Sequence, residues 1–123
     1  MRYSPLLCLL LALCFTSTPA RAQTIGDQVL ARVPFCLSLE KAQAILRTDA
    51  EQGFPTSKVL FDQEDDCDVG VLEFVVVAVK ATYQVQRGGK EALMYIVQGK
   101  LTGDDTPVFI LTPVKVKTKE KDA

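Results

Sequence analysis

The sequence predicts a small α+β domain: one amphipathic helix packed on a curved antiparallel sheet, or on a small open β-barrel, of four to five strands, with one disulfide. Three observations predict it. Apolar residues between Ser38 and Gly53 recur every three or four positions, as on one face of a helix. From Val69 onward, β-branched and aromatic runs alternate with glycine- and proline-marked turns, as strands joined by hairpins do. Two cysteines, Cys36 and Cys67, flank the helix and would fasten it to the sheet.

The chain of 123 residues does not begin with the domain. Arg2 supplies a short positive start, Pro5 to Phe15 is an almost unbroken apolar run, and Ala20-Arg21-Ala22 is a small-x-small site ahead of Gln23. This is the three-part pattern of a secretory signal peptide over residues 1–22, and its apolar run is shorter than the roughly 20 residues that span a bilayer. The expectation is an exported protein, periplasmic or secreted, with a mature chain from Gln23 and no transmembrane segment after cleavage. Residues 23–117 are expected to form a single domain, and 118–123 a disordered tail.

Along the mature chain, Ile25, Val29, Leu30 and Val33 fall at helical spacing and suggest a loosely attached first helix ended by Pro34. The main helix follows. Ser38 suits its N-cap, Glu40 sits where the helix dipole favours negative charge, and Gly53 suits its stop. Leu39, Ala42, Ile45, Leu46 and Ala50 form its apolar side, and Phe54-Pro55 reads as an anchor and breaker. Val59-Leu60-Phe61 predicts a short strand. Val69 to Val79 is apolar on both faces and predicts a strand buried on both sides, continuing half exposed through the alternating Lys80–Gln86. Arg87-Gly88-Gly89-Lys90 is a hairpin turn, because adjacent glycines accept the positive φ that tight turns require. Ala92 to Gln98 is the return strand, Gly99 and Gly103-Asp104-Asp105 mark the next turn, and Val108 to Thr112 is another strand ended by Pro113. Val114-Lys115-Val116-Lys117 alternates as a terminal edge strand whose lysines discourage edge-to-edge pairing.

Composition narrows the chemistry. The signal holds Arg2 and Arg21 and no acids, so processing leaves 12 basic against 15 acidic residues and a net charge near −3. That balance argues against a nucleic-acid partner. Cys8 and Cys14 leave with the signal, so Cys36 and Cys67 are the only pair left. An oxidising compartment would join them as a structural disulfide. With no histidine, Ser-His and Cys-His catalysis is excluded, and a transition metal would have carboxylates alone to bind it. With no asparagine, N-glycosylation is excluded. Ser38 and Ser57 have lysines nearby but lack the flanking glycines and strand-turn-helix pattern of a nucleophile, and no phosphate-binding glycine loop is present. No enzymatic activity and no cofactor are expected.

Two features remain as candidate sites. The acidic stretch from Asp62 to Asp68 partly matches a calcium loop. Asp62, Glu64 and Asp66 fall at positions 1, 3 and 5 and Glu73 at position 12, but Cys67 stands where such a loop needs glycine. The competing reading is a solvated acidic turn. The aromatics Phe74, Tyr83, Tyr95 and Phe109 read as core or cross-strand pairs before they read as a recognition platform. The function expected from the sequence is a small non-enzymatic interaction protein that recognises a protein or peptide in the envelope or medium through its sheet surface or edge. Arg87 and Lys90 at the hairpin tip and Lys115 and Lys117 on the terminal edge are the candidate contacts. A calcium-dependent or carboxylate site at Asp62, Glu64, Asp66 and Glu73 is the alternative.

Overall fold

A computed structural model describes residues 23–117, so the signal segment and the tail named above lie outside the described residues. The elements, in order, are β1 (Gln23–Thr24), β2 (Gln28–Cys36), α1 (Leu39–Gln52), α2 (Phe54–Gln63), β3 (Cys67–Arg87), β4 (Lys90–Leu101), β5 (Pro107–Thr112) and β6 (Val116–Lys117). Strands β2, β3, β4 and β5 pair antiparallel in that order, and a short β5–β2 contact closes them into a barrel. Both helices are inserted between β2 and β3 and pack on the barrel's outer face. The α+β class and the Cys36–Cys67 disulfide are as expected from the sequence.

Helix α1 forms where its pattern places it. Ser38 caps it, its hydroxyl accepting from the Lys41 amide at 3.3 Å, and Gly53 ends it at φ 96°. Ala42, Ile45 and Leu46 are buried, but the fourth buried residue is Asp49, and Ala50 faces solvent.

Five expectations are corrected. Residues Gln28–Cys36 are a strand, not a helix, with Val29, Val33 and Phe35 packed into the barrel and Gln28, Leu30 and Arg32 facing out. Their apolar spacing fits both periods, and pairing with β3 decides it. Val59–Phe61 is helical, because Pro55 lies in the first turn of α2, where its missing N–H costs nothing. Val69–Val79 is buried on one face only, since Val69, Val71, Val77 and Val79 are exposed. Gly99 lies inside β4, where an added Cβ would stand 2.7 Å from the Phe74 ring. The expected terminal edge strand is reduced to β6, which pairs parallel with β1.

Two apolar clusters result. One fills the barrel with Phe74, Val76, Val97, Val108 and Ile110. Ile25 and Val116, from the β1–β6 ribbon, pack against it. The other lies between barrel and helices and joins Ala42, Ile45 and Leu46 to Cys36, Cys67, Ile96 and Leu111. Cys36 and Cys67 are register partners at the open ends of β2 and β3, so their bond clamps the base of the helical insertion. Closing this loop of about 32 residues stabilises the fold by roughly 3–4 kcal/mol on the chain-entropy model.

Candidate functional site

The barrel's closing seam is its least complete part. Strand β2 pairs with β3 along its whole length, from Gln28 opposite Val75 to Cys36 opposite Cys67. It meets β5 only where Phe35 lies opposite Ile110 and Cys36 opposite Phe109. The physical cause is Pro34. At one end of β2 the Leu37 amide donates to the Asp66 carbonyl at 2.9 Å, and at the other the Val76 amide donates to the Asp27 carbonyl at 2.9 Å. Pairing with β3 therefore runs through odd-numbered residues. By strand alternation, the main-chain groups of Leu30, Arg32 and residue 34 point the other way, toward β5. The next bond of the β2–β5 ladder would need an N–H at residue 34, and proline has none. Past that point the strands diverge, and Pro113 turns the chain away after β5.

The divergence opens a cleft of about 900 Å³. Gln28 to Pro34 line one side and Leu111 to Val114 the other, with Met94 and Arg87 between them. Strand β4 reaches past the end of β5, since Thr112, the last residue of β5, lies opposite Tyr95. The cleft therefore occupies the space that a longer β5 would fill. On the outer face beside it, Leu30 is 71% and Val71 62% exposed, and Val71 lies directly opposite Arg32.

A second, smaller cavity of about 230 Å³ lies between the helices and the outer face of the sheet. Its walls are mainly apolar, with Ile45, Leu46, Phe54, Phe61 and Val69 prominent. It shares Pro34, Met94, Leu111 and Arg87 with the cleft, so the two adjoin.

Arg87 stands at that junction. Its Nη1 donates to Asp49 Oδ1 at 2.9 Å and its Nη2 to Asp49 Oδ2 at 2.7 Å, while the guanidinium lies 4.7 Å from the centre of the Phe54 ring. The hydrogen bonds to Asp49 push the Arg87 pKa further up, so the cation persists at any relevant pH. The Asp49 side chain is only 2% exposed. A carboxylate so deeply placed requires such a partner. The structure thus sets Arg87, expected as a free hairpin-tip contact, into the wall between α1 and the β3–β4 hairpin, while Lys90 stays exposed. Lys115 and Lys117 are exposed, with carbonyls that accept from the Gln23 and Ile25 amides at 3.0 and 2.9 Å.

The carboxylates of the alternative site are also kept apart. Asp62 pairs with Lys58 at 2.9 Å, Glu64 with Lys41 at 2.7 Å, and Glu73 accepts from Gln28 at 2.6 Å on the outer face of β3. The Glu64 hydrogen bond raises the Lys41 pKa. Among the described residues no cluster of three acids, cysteines or histidines is poised for a metal. No described helix is long and apolar enough to cross a membrane.

Sequence reasoning missed the cleft. Pro34 was its one visible signal, and only the pairing parity of β2 gives that proline its meaning. No protein-family model, curated protein or solved structure matches the chain.

Proposed function

We propose that the protein is a small exported binding module, without catalytic activity, that recognises a protein or peptide by adding an extended segment of it to the free edge of β2. The observation that carries this reading is the unfinished β2–β5 seam, where Leu30 and Arg32 turn their main-chain groups into a strand-sized cleft. An unpaired strand edge is a template for another chain. Main-chain bonds then supply affinity, and alternate side chains supply selectivity. Export is supported by the composition of residues 1–22, and the Cys36–Cys67 bond is compatible with an oxidising compartment. The periplasm and the extracellular medium suit the reading equally.

The test is selection of a displayed random heptapeptide library on the mature chain, with Arg32→Pro as control. That substitution removes one cleft-facing N–H and spares the β2–β3 ladder, which runs through the odd-numbered residues. Selected peptides are expected to bind the parent protein and to lose affinity for a folded Arg32→Pro variant. Failure to select any peptide, or equal binding by the variant, overturns the reading.

A further inference from the structure

Resting on strand addition at β2, we infer that the bound segment carries an aromatic side chain, an acidic side chain and an aliphatic one at alternating positions. The argument begins with parity. Gln28, Leu30, Arg32 and Pro34 share the outer face of β2, and a strand added at its edge places every second side chain on that same face. Three successive same-face positions of the guest then lie over Pro34 and Leu111 where the seam closes, beside Arg32 and beside Leu30.

Each position has a distinct chemistry. At Pro34 and Leu111 the cleft adjoins the cavity under the helices, walled by Leu46, Phe54, Phe61 and Val69. A dry cavity of 150 Å³ admits benzene, so about 230 Å³ admits a phenyl or phenol side chain. The cavity's polar groups are already engaged: Ser57 donates to the Phe54 carbonyl at 3.0 Å, Asp49 holds Arg87, and Lys58 pairs with Asp62 at 2.9 Å. A charged guest there would lose its hydration without gaining a partner. Two residues along, Arg32 is exposed and makes no ion pair among the described residues. It sits opposite Val71 and between Leu30 and Pro34, and the nearest carboxylate across the register, Glu73 opposite Leu30, is engaged by Gln28, so Arg32 is a cation without an ion-pair partner that a carboxylate complements. Beyond it, Leu30 offers the largest exposed apolar side chain on β2 to an aliphatic guest. The partner class is therefore an extended, uncharged-or-acidic polypeptide segment with an aromatic anchor, not a basic peptide.

Fluorescence anisotropy with synthetic peptides tests this. The probes are labelled Thr-Phe-Thr-Glu-Thr-Leu-Thr and its reversed sequence, which cover parallel and antiparallel joining. Replacing the phenylalanine by alanine is expected to weaken binding about tenfold, and replacing the glutamate by lysine roughly threefold. Val69→Trp, at a 40% exposed position, narrows the cavity mouth and is expected to erase the phenylalanine preference. Arg32→Glu is expected to reverse the preference toward the lysine peptide. Thermal melts of both variants confirm that the fold is kept. If every peptide binds alike and all are weakened by Arg32→Pro, strand addition holds and the side-chain assignment is overturned. If no peptide of either direction binds, or Arg32→Pro changes nothing, strand addition itself falls and the assignment with it.

Discussion

Asp49 was hidden in the sequence because it occupies a core position of α1 as a charged residue, and its partner lies 38 residues further along. Helical spacing placed Ala50 in the apolar stripe instead. The ion pair is a distinct source of stability with a strong asymmetry between breaking it and replacing it. Arg87→Ala leaves a carboxylate buried without a partner and is expected to cost about 2–3 kcal/mol, toward the lower end because Arg87 is partly solvent-screened. The double substitution Asp49→Leu with Arg87→Met is expected to recover most of that loss, and urea denaturation of the two variants checks both. Gly99 makes a second residue-scale point. Glycine in a strand read as a turn, yet its missing side chain makes room for the buried Phe74 ring. Gly99→Ala is expected to destabilise the protein by about 1–3 kcal/mol through overpacking, measured as a fall in the urea midpoint.

At the scale of elements, legibility followed how local the deciding interactions were. Helix α1 has its cap, its stripe and its stop within one stretch of chain, and the β3–β4 hairpin has its glycine turn between two strands. Both formed as read. Strand β2 was misread because Ile25, Val29, Leu30 and Val33 suit a helix as well as a strand, and only β3, more than 30 residues away in sequence, settles the matter. Helix α2 was misread because β-branched Val59 outweighed the proline two residues into the helix. Pro34 limits the reach of one pairing, since it halts the β2–β5 ladder. Pro34→Val restores a donor facing Leu111, the register partner that follows Ile110. The new amide is expected to become slow to exchange, and peptide capture in the narrowed cleft to fall. Hydrogen exchange followed residue by residue, with anisotropy on the same variant, measures the two effects together.

For the whole molecule, the class, the approximate strand count and the disulfide were legible, because patterning and a single available cysteine pair decide them. Barrel closure was not, since it depends on β5 meeting β2 across most of the chain. The candidate site follows closure and so was equally out of reach: it is a property of two strands that meet and then part. Of the carboxylates that drew attention instead, Asp62, Glu64 and Glu73 are drawn to three separate partners, Lys58, Lys41 and Gln28. The β1–β6 ribbon carries a consequence of another kind. Gln23 lies in register with Val116 and Thr24 with Lys117, so the two ends of the domain are neighbours. Because these strands run parallel, a join from Lys117 to Gln23 need only cross to the neighbouring strand, about 5 Å, and step back one residue, about 3 Å. A circular permutant with a short glycine-rich link there, reopened between Gly88 and Gly89, keeps every ladder of the barrel and breaks only an exposed two-residue turn. Such a permutant is expected to fold with its disulfide intact. It would present its new ends beside Arg87 and close the natural ones at Gln23, another residue that lines the cleft.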